Sequence, residues 1–341
     1  MGLAEVTGGS RDPHEVALSR SPLLAAIGAR ALAWASRRPL HTNVYGVARS
    51  LLGASTLATL VFSSTASVFR GTPAHPTYPL CSNGTQYGLF CLAGSDHLEI
   101  ARWIAVAVLI VVVVGWRPRL TGVLHWYVTA SFATSALMVD GGDQVAQNLS
   151  LLLIPITLTD SRRSHWDTSI ASTATAVGRR TLFDTAAALF ARSCYLIIRF
   201  QVAGIYFEAA TAKMRVEEWR DGTAVYYWFT DPAFGLWEPI KSGVMPLLAT
   251  GWVVAALTWG AIALEMALFL GLVASHQYRQ RVLVAGVAFH AAIGLIHGIP
   301  SFAIAMFAAL ILYLRPFDEP FALRRTRRAC SAPRFVRHSL T

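Results

Sequence analysis

The sequence predicts an all-α fold, a polytopic transmembrane helical bundle of about eight spans (six to eight) with both termini cytoplasmic. Three observations predict it. The 341 residues are 54% hydrophobic and 14% charged, with a mean hydropathy of +0.47, whereas a soluble domain carries about 25% charged residues. Apolar runs approaching the roughly 20 residues needed to cross a bilayer recur along the chain between arginine-bearing loops. Finally, Arg192, Arg199, Tyr206 and Lys213 recur every seven residues inside one apolar run. At about 3.6 residues per turn that spacing keeps them on one slowly drifting helix face. Hydrocarbon penalises a charge at a helix centre by roughly 2.5–3.5 kcal/mol, so this face turns toward protein or water. Gln201 and Glu208 form a second row beside it.

Residues 1–40 read as a cytoplasmic tail. Its first 20 residues are polar and lack the apolar core of a secretory signal. Residues 22–38 mix Leu23, Leu24, Ile27, Leu32 and Trp34 with Arg30, Arg37 and Arg38, which suits an amphipathic helix on the membrane surface or a frayed tail. The transmembrane domain is expected over 41–315, with spans at 45–69, 98–116, 120–139, 144–158, 185–212, 246–274, 282–296 and 302–314. The last two are short, and either could be re-entrant. A basic cytoplasmic tail covers 316–341.

Charge sets the orientation. With eight spans, Arg30, Arg37, Arg38, Arg117, Arg119, Arg162, Arg163, Arg179, Arg180, Arg279, Arg281 and the tail arginines fall on one side. Arg70, Lys213, Arg215, Arg220 and Lys241 fall on the other. The positive-inside rule makes the first side cytoplasmic and accounts for the net charge of +10. No nucleic-acid-reading motif accompanies that charge, so nucleic acid is not an expected partner. Cys81 and Cys91 then face outside, where disulfides persist. They read as a staple for a Pro-rich loop; the alternative is a thiol pair exchanging disulfides with a substrate, although the C-x-x-C spacing is absent. Cys194 reads as a core residue, and Cys330 lies in the tail.

Several polar residues fall inside apolar runs. Arg49 lies too deep in the first span to reach water easily, and Glu265 is the best-placed carboxylate for it, either as packing or as a site. His290 and His297 share a face; with Glu265 they could ligate a metal, but no H-E-x-x-H spacing supports this and no metal is assigned. His125 is a candidate for acid–base work or a hydrogen-bonded bundle histidine. Asp140, Asp143 and Asn148 could receive a substrate or cap a turn made by Gly141 and Gly142. Trp219, Tyr226, Tyr227, Trp228, Phe229, Phe234 and Trp237 crowd the connection after Lys213, as an interfacial aromatic belt or as a lid over an outward cavity. No nucleotide-binding motif is present.

The run Tyr206-Phe207, Ala209-x-x-x-Lys213-Met214 and Trp219-Arg220-Asp221-Gly222-Thr223-Ala224 resembles the horizontally transferred transmembrane (HTTM) domain, shared with the membrane part of vitamin K-dependent gamma-carboxylases. TNVYGVARSLLGASTLATLVF (42–62) and PLCSNGTQYGLFCL (79–92) resemble the bacterial sporulation-delaying protein B family. That resemblance implies a multi-pass protein of the bacterial plasma membrane, embedded in lipid, that matures or produces a secreted antimicrobial peptide toxin. The implied partners are the toxin precursor peptide and a small protein of the same system. Lys213 stands where the carboxylases place their catalytic base, with Glu208 and His125 as further catalytic candidates. A neighbouring Arg192, Arg199 or Arg215 would disfavour the charged form of Lys213 and suit it to act as a base; the alternatives are a lysine extended to the outer headgroups or paired with Glu208. The large lumenal domain of the carboxylases is not expected here, so carboxylation is not carried over and the cofactor is left open. The expected site is an outward-facing cavity lined by Arg49, Arg199, Tyr206, Glu208, Lys213, Trp219, Glu265 and His290. A scaffold or export factor and a transporter are the competing classes.

Overall fold

Inside hydrocarbon every backbone N–H and C=O must be bonded within the protein, and a long apolar segment meets that demand as a helix. The computed structural model describes residues 22–35, 40–73, 75–137, 139–167, 182–232 and 234–322, and across them the protein is all-α. An isolated bridge, Trp116 with Ser164, is the one β pairing among the described residues. The principal helices are α1 (Pro22–Ala35), α2 (Asn43–Phe62), α3 (Leu98–Val114), α4 (Pro118–Ser135), α5 (Gly141–Leu158), α6 (Leu182–Lys213), α7 (Glu238–Leu248), α8 (Gly251–Leu270), α9 (His276–Ile296) and α10 (Pro300–Leu314). Readings that fall on residues 1–20, on Arg37, Arg38, Arg179 and Arg180, and on the tail from 323 with Cys330 lie outside the described residues.

Among the described residues five helices are long and apolar enough to cross a membrane: α2, α3 with the 3-10 turn before it, α6, α8 and α9. Helices α4 and α5 have 18 residues each but are more polar, and α10 is apolar with 15. Two expected spans are divided. The first stops at Phe62, where the Ser64 hydroxyl accepts from the Ser67 N–H and starts the separate turn Thr65–Val68. The sixth run breaks at Thr250, leaving α7 as a short helix apart from α8.

The core forms where α2, α5, α6 and α10 meet, with Leu52, Leu149, Leu153, Ile198, Val202 and Leu310 fully buried. Helix α10 is short but central: Ala305, Ala308 and Ala309 are buried, and small residues let neighbouring backbones approach closely. A second core joins α2, α3 and α4 through Leu60, Leu109 and Phe132. It reaches the loop 80–93, which Phe90 anchors and a Cys81–Cys91 disulfide closes (Cα–Cα 5.6 Å).

The bundle has two chemically different ends. At the first, the Asn43 side chain pairs with the Phe321 backbone in both directions at 2.8 Å. Tyr195 stacks on Phe317 there (4.7 Å), and Arg49, Arg117, Arg162 and Arg199 gather from four segments. We call this the basic end. The opposite end carries the disulfide loop, the Asp140 cap, the end of α6 and the aromatic connection 217–248.

Candidate functional site

The long helix α6 presents its seven-residue row inward. Arg192 and Tyr206 are buried, and Arg199 and Lys213 are half-buried. Because side chains lean toward the helix N-terminus, Lys213, at the last position of α6, reaches back into the bundle. Its Nζ donates to the Ala209 carbonyl (3.3 Å) and to both carboxylate oxygens of Glu265 on α8 (2.7 and 2.8 Å). The side chains are 22% and 7% exposed, so this ion pair is largely withdrawn from solvent. The Trp219 ring faces the ammonium at 5.1 Å, within cation–π range. Trp219 is held there by a turn at Gly222, whose φ of +86° favours glycine. The following helix, Ala224–Thr230, is tied to α8 by the Val225 N–H donating to the Thr258 hydroxyl (3.2 Å).

Two turns before Lys213, the Tyr206 hydroxyl shares a 3.0 Å hydrogen bond with Nε2 of His290 on α9. Both residues are buried, His290 lies edge-on to Phe289 and Phe302, and its Nδ1 has no hydrogen-bond partner among the described residues. The Lys213 charge acts on His290 and the Glu265 charge on Tyr206. The four groups therefore form one electrostatic unit between α6, α8 and α9, offering an ammonium, a carboxylate, a phenol and an imidazole.

The structure divides the other expected lining residues. Glu208 is exposed and lies off the packed face of α6, so Lys213 pairs with Glu265 instead. The expected Arg49–Glu265 pair is likewise not formed, because α8 packs on α6 while α2 packs on α3, α5 and α10. Arg49, fully buried near the basic end, donates to His165 Nδ1 (3.2 Å) and to Thr121 Oγ1 (2.6 Å). An arginine can only donate, so His165 Nδ1 is the acceptor and Nε2 carries the proton toward Ser50 Oγ (3.1 Å). His125 belongs to this group: its Nε2 is buried without a hydrogen-bond partner among the described residues, and both Arg49 and His165 act on it. It is not beside Lys213 in the pair and dyad just described. Arg199 lies two turns nearer the basic end than Tyr206 and donates to the Leu272 carbonyl (3.2 Å). The hydrogen-bonding and cation–π partners of Lys213 are Ala209, Glu265 and Trp219.

His297 bonds the Phe234 carbonyl (2.7 Å) and does not join His290 and Glu265; among the described residues no cluster of three His, Cys, Asp or Glu could hold a metal. Asp140 caps α5, accepting from the Gly142 and Asp143 N–H groups (2.7 and 3.0 Å). Cys194 is buried. Sequence reasoning overlooked a polar knot that joins the first half of α2 to the loop after α5. The carboxylate of Asp160 takes Arg162 through both oxygens and bonds the Tyr45 hydroxyl, and His165 is lodged beside Arg49. The available signal was an Asp-x-Arg followed by His just beyond an apolar run, facing a buried arginine that needed partners.

The HTTM domain matches residues 171–317. The chain is 39% identical over 279 residues to the sporulation-delaying protein SdpB of Bacillus subtilis (strain 168), covering 81% of this chain and 82% of that protein. It is 38% identical over 297 residues to the uncharacterized protein YitO of the same organism, covering 86% of this chain and 92% of YitO. No solved structure matches.

Proposed function

Because the chain belongs to the sporulation-delaying protein B family of HTTM membrane proteins, we propose that it acts in producing a secreted antimicrobial peptide toxin, with Lys213 and Glu265 at the centre of its site. In this reading eight helices cross the bacterial plasma membrane, the basic end is cytoplasmic, and the Lys213 unit opens toward the outer face. The precursor peptide and a small protein of the same system are its partners.

One observation carries the reading: a lysine at the end of its helix turns inward to a carboxylate instead of outward to the headgroups. A stem directed to water would satisfy the ammonium without a partner. Held between α6 and α8, the pair can pass a proton over 2.7 Å, leaving a free amine to take a proton from an entering peptide and a carboxylic acid to return one. Proton transfer between positioned groups contributes about 10²–10⁴-fold to rate. Tyr206 and His290 add a second donor and acceptor alongside.

The second reading, a non-enzymatic maturation scaffold, is favoured by the fact that both Glu265 oxygens already hold Lys213. The two readings separate by mass spectrometry of the peptide exported from cells carrying wild-type protein, Lys213→Ala or Lys213→Arg at matched levels. Altered product or unprocessed precursor from both variants is expected. Product of normal mass and amount from both would make Lys213 a packing residue and leave the scaffold reading.

A further inference from the structure

Arg199 and Arg279 form a site independent of the Lys213 unit. Arg199 projects from α6 at the basic end, and Arg279 from the first turn of α9. Arg199 reaches the residues just past α8, whose last turn receives the Tyr313 hydroxyl at the Leu268 and Phe269 carbonyls (2.9 and 3.0 Å). The Arg279 charge acts on Arg199, and both guanidinium charges act on Tyr313.

Like charges held close together in a partly buried place repel, yet neither arginine has a carboxylate at ion-pair distance among the described residues. Arg199 has one carbonyl, that of Leu272. The Nε–H of each arginine is buried with no acceptor among the described residues. Arg162 of the same end shows what a paired arginine looks like, held by both oxygens of Asp160 (2.9 and 2.8 Å). The Arg199–Arg279 pair has the donors of such a site without a protein carboxylate among the described residues. Guanidinium forks match oxyanions, phosphates above all. The pair lies at the end of apolar helices, the level at which phospholipid headgroups supply phosphodiesters.

We propose that Arg199 and Arg279 bind a phosphate-bearing anion between α6, α8 and α9 at the basic end of the bundle, and that the headgroup of an anionic phospholipid supplies it. The lipid would pin the start of α9 to α6.

The test uses the full-length protein purified in a neutral detergent, with thermal unfolding and native mass spectrometry against phosphatidylglycerol, phosphatidylcholine and inorganic phosphate. Phosphatidylglycerol should raise the unfolding temperature and remain bound, and phosphatidylcholine should do neither. A shift from inorganic phosphate alone would keep the site and assign it to the free ion. Arg279→Gln should weaken phosphatidylglycerol binding about tenfold, while Arg281→Gln, an exposed neighbour, should leave it unchanged. Arg279→Lys keeps the charge and loses the fork, so a several-fold loss is expected from it even if Arg279→Gln does not fold. Equal binding by wild type and Arg279→Lys, equal losses from Arg279→Gln and Arg281→Gln, or no binding of either phosphate source would overturn the proposal.

Discussion

Lys213 remains inside the bundle because Glu265 holds it with both oxygens, and removing one partner strands the other. Breaking a buried pair costs roughly 3–5 kcal/mol, an upper bound here because Lys213 keeps 22% exposure. Glu265→Gln and Lys213→Met should each lower stability, and the double variant should lose less than their sum in a thermal double-mutant cycle. Additive losses would mean the two do not interact. At the opposite end, burial first and the Arg49 guanidinium second push the His165 imidazole down to about 3. An unfolded histidine titrates near 6.5, so between about 3 and 6.5 the unfolded chain binds more protons. The stabilisation is therefore complete above about 6.5 and is lost as pH falls, by up to about 1.4 kcal/mol per pH unit. His41, lowered chiefly by burial, adds with the same sign. Unfolding temperature should drop between pH 7 and pH 5, and His165→Asn should flatten that slope; an unchanged slope would count against this account of His165. The row from Arg192 to Lys213 was legible because its period matches a helix. Its partners were not: an acid alone in an apolar run shows that it needs a cation without showing which helix brings one.

Helix packing in this bundle depends on a few close crossings. A Cβ at Gly122 of α4 would collide with the Thr157 hydroxyl and methyl of α5, whereas a Cβ at Gly204 of α6 meets nothing within 4 Å. Gly122→Ala should cost about 1–3 kcal/mol as overpacking, and Gly204→Ala should be neutral or stabilising by up to about 1 kcal/mol through helix propensity. Unfolding of both purified variants checks this, and equal effects would refute the crossing argument. Gly115 shows the same dependence in a turn: its φ is +84°, and a Cβ there would strike the His165 ring. Apolar runs located most of the helices. They did not reveal the breaks at Ser63 and Thr250, because short hydroxyl side chains are tolerated inside an apolar run until one of them caps a new turn, as Ser64 does.

Across the whole molecule most of the described arginines lie toward one end: Arg49, Arg117, Arg119, Arg162, Arg163, Arg199, Arg279 and Arg281 belong to the basic end, together with Asp160, while Glu99, Asp140, Glu217, Glu218, Asp221 and Glu238 belong to the other, together with Lys213, Arg215, Arg220 and Lys241. In the proposed reading the basic end is cytoplasmic, as the positive-inside rule expects. In a background with Cys194 and Cys330 replaced, a membrane-impermeant maleimide on intact cells should label Glu218→Cys and spare Arg281→Cys; the reverse would invert the topology. The fold class was legible from composition and arginine placement, since both act at the scale of the whole chain. The site was legible only in part, because which helices lie side by side decides that Glu265 meets Lys213 while Arg49 meets His165. The central claim is that this pair does chemistry on a peptide and does more than fasten α6 to α8. The most direct measurement is the mass and amount of exported peptide from cells carrying the exchange Lys213→Glu with Glu265→Lys, at matched protein level. The expected result is a protein that accumulates, because the ion pair is rebuilt, but yields no mature product. Mature product of wild-type mass and amount would contradict the claim and make the pair a fastening.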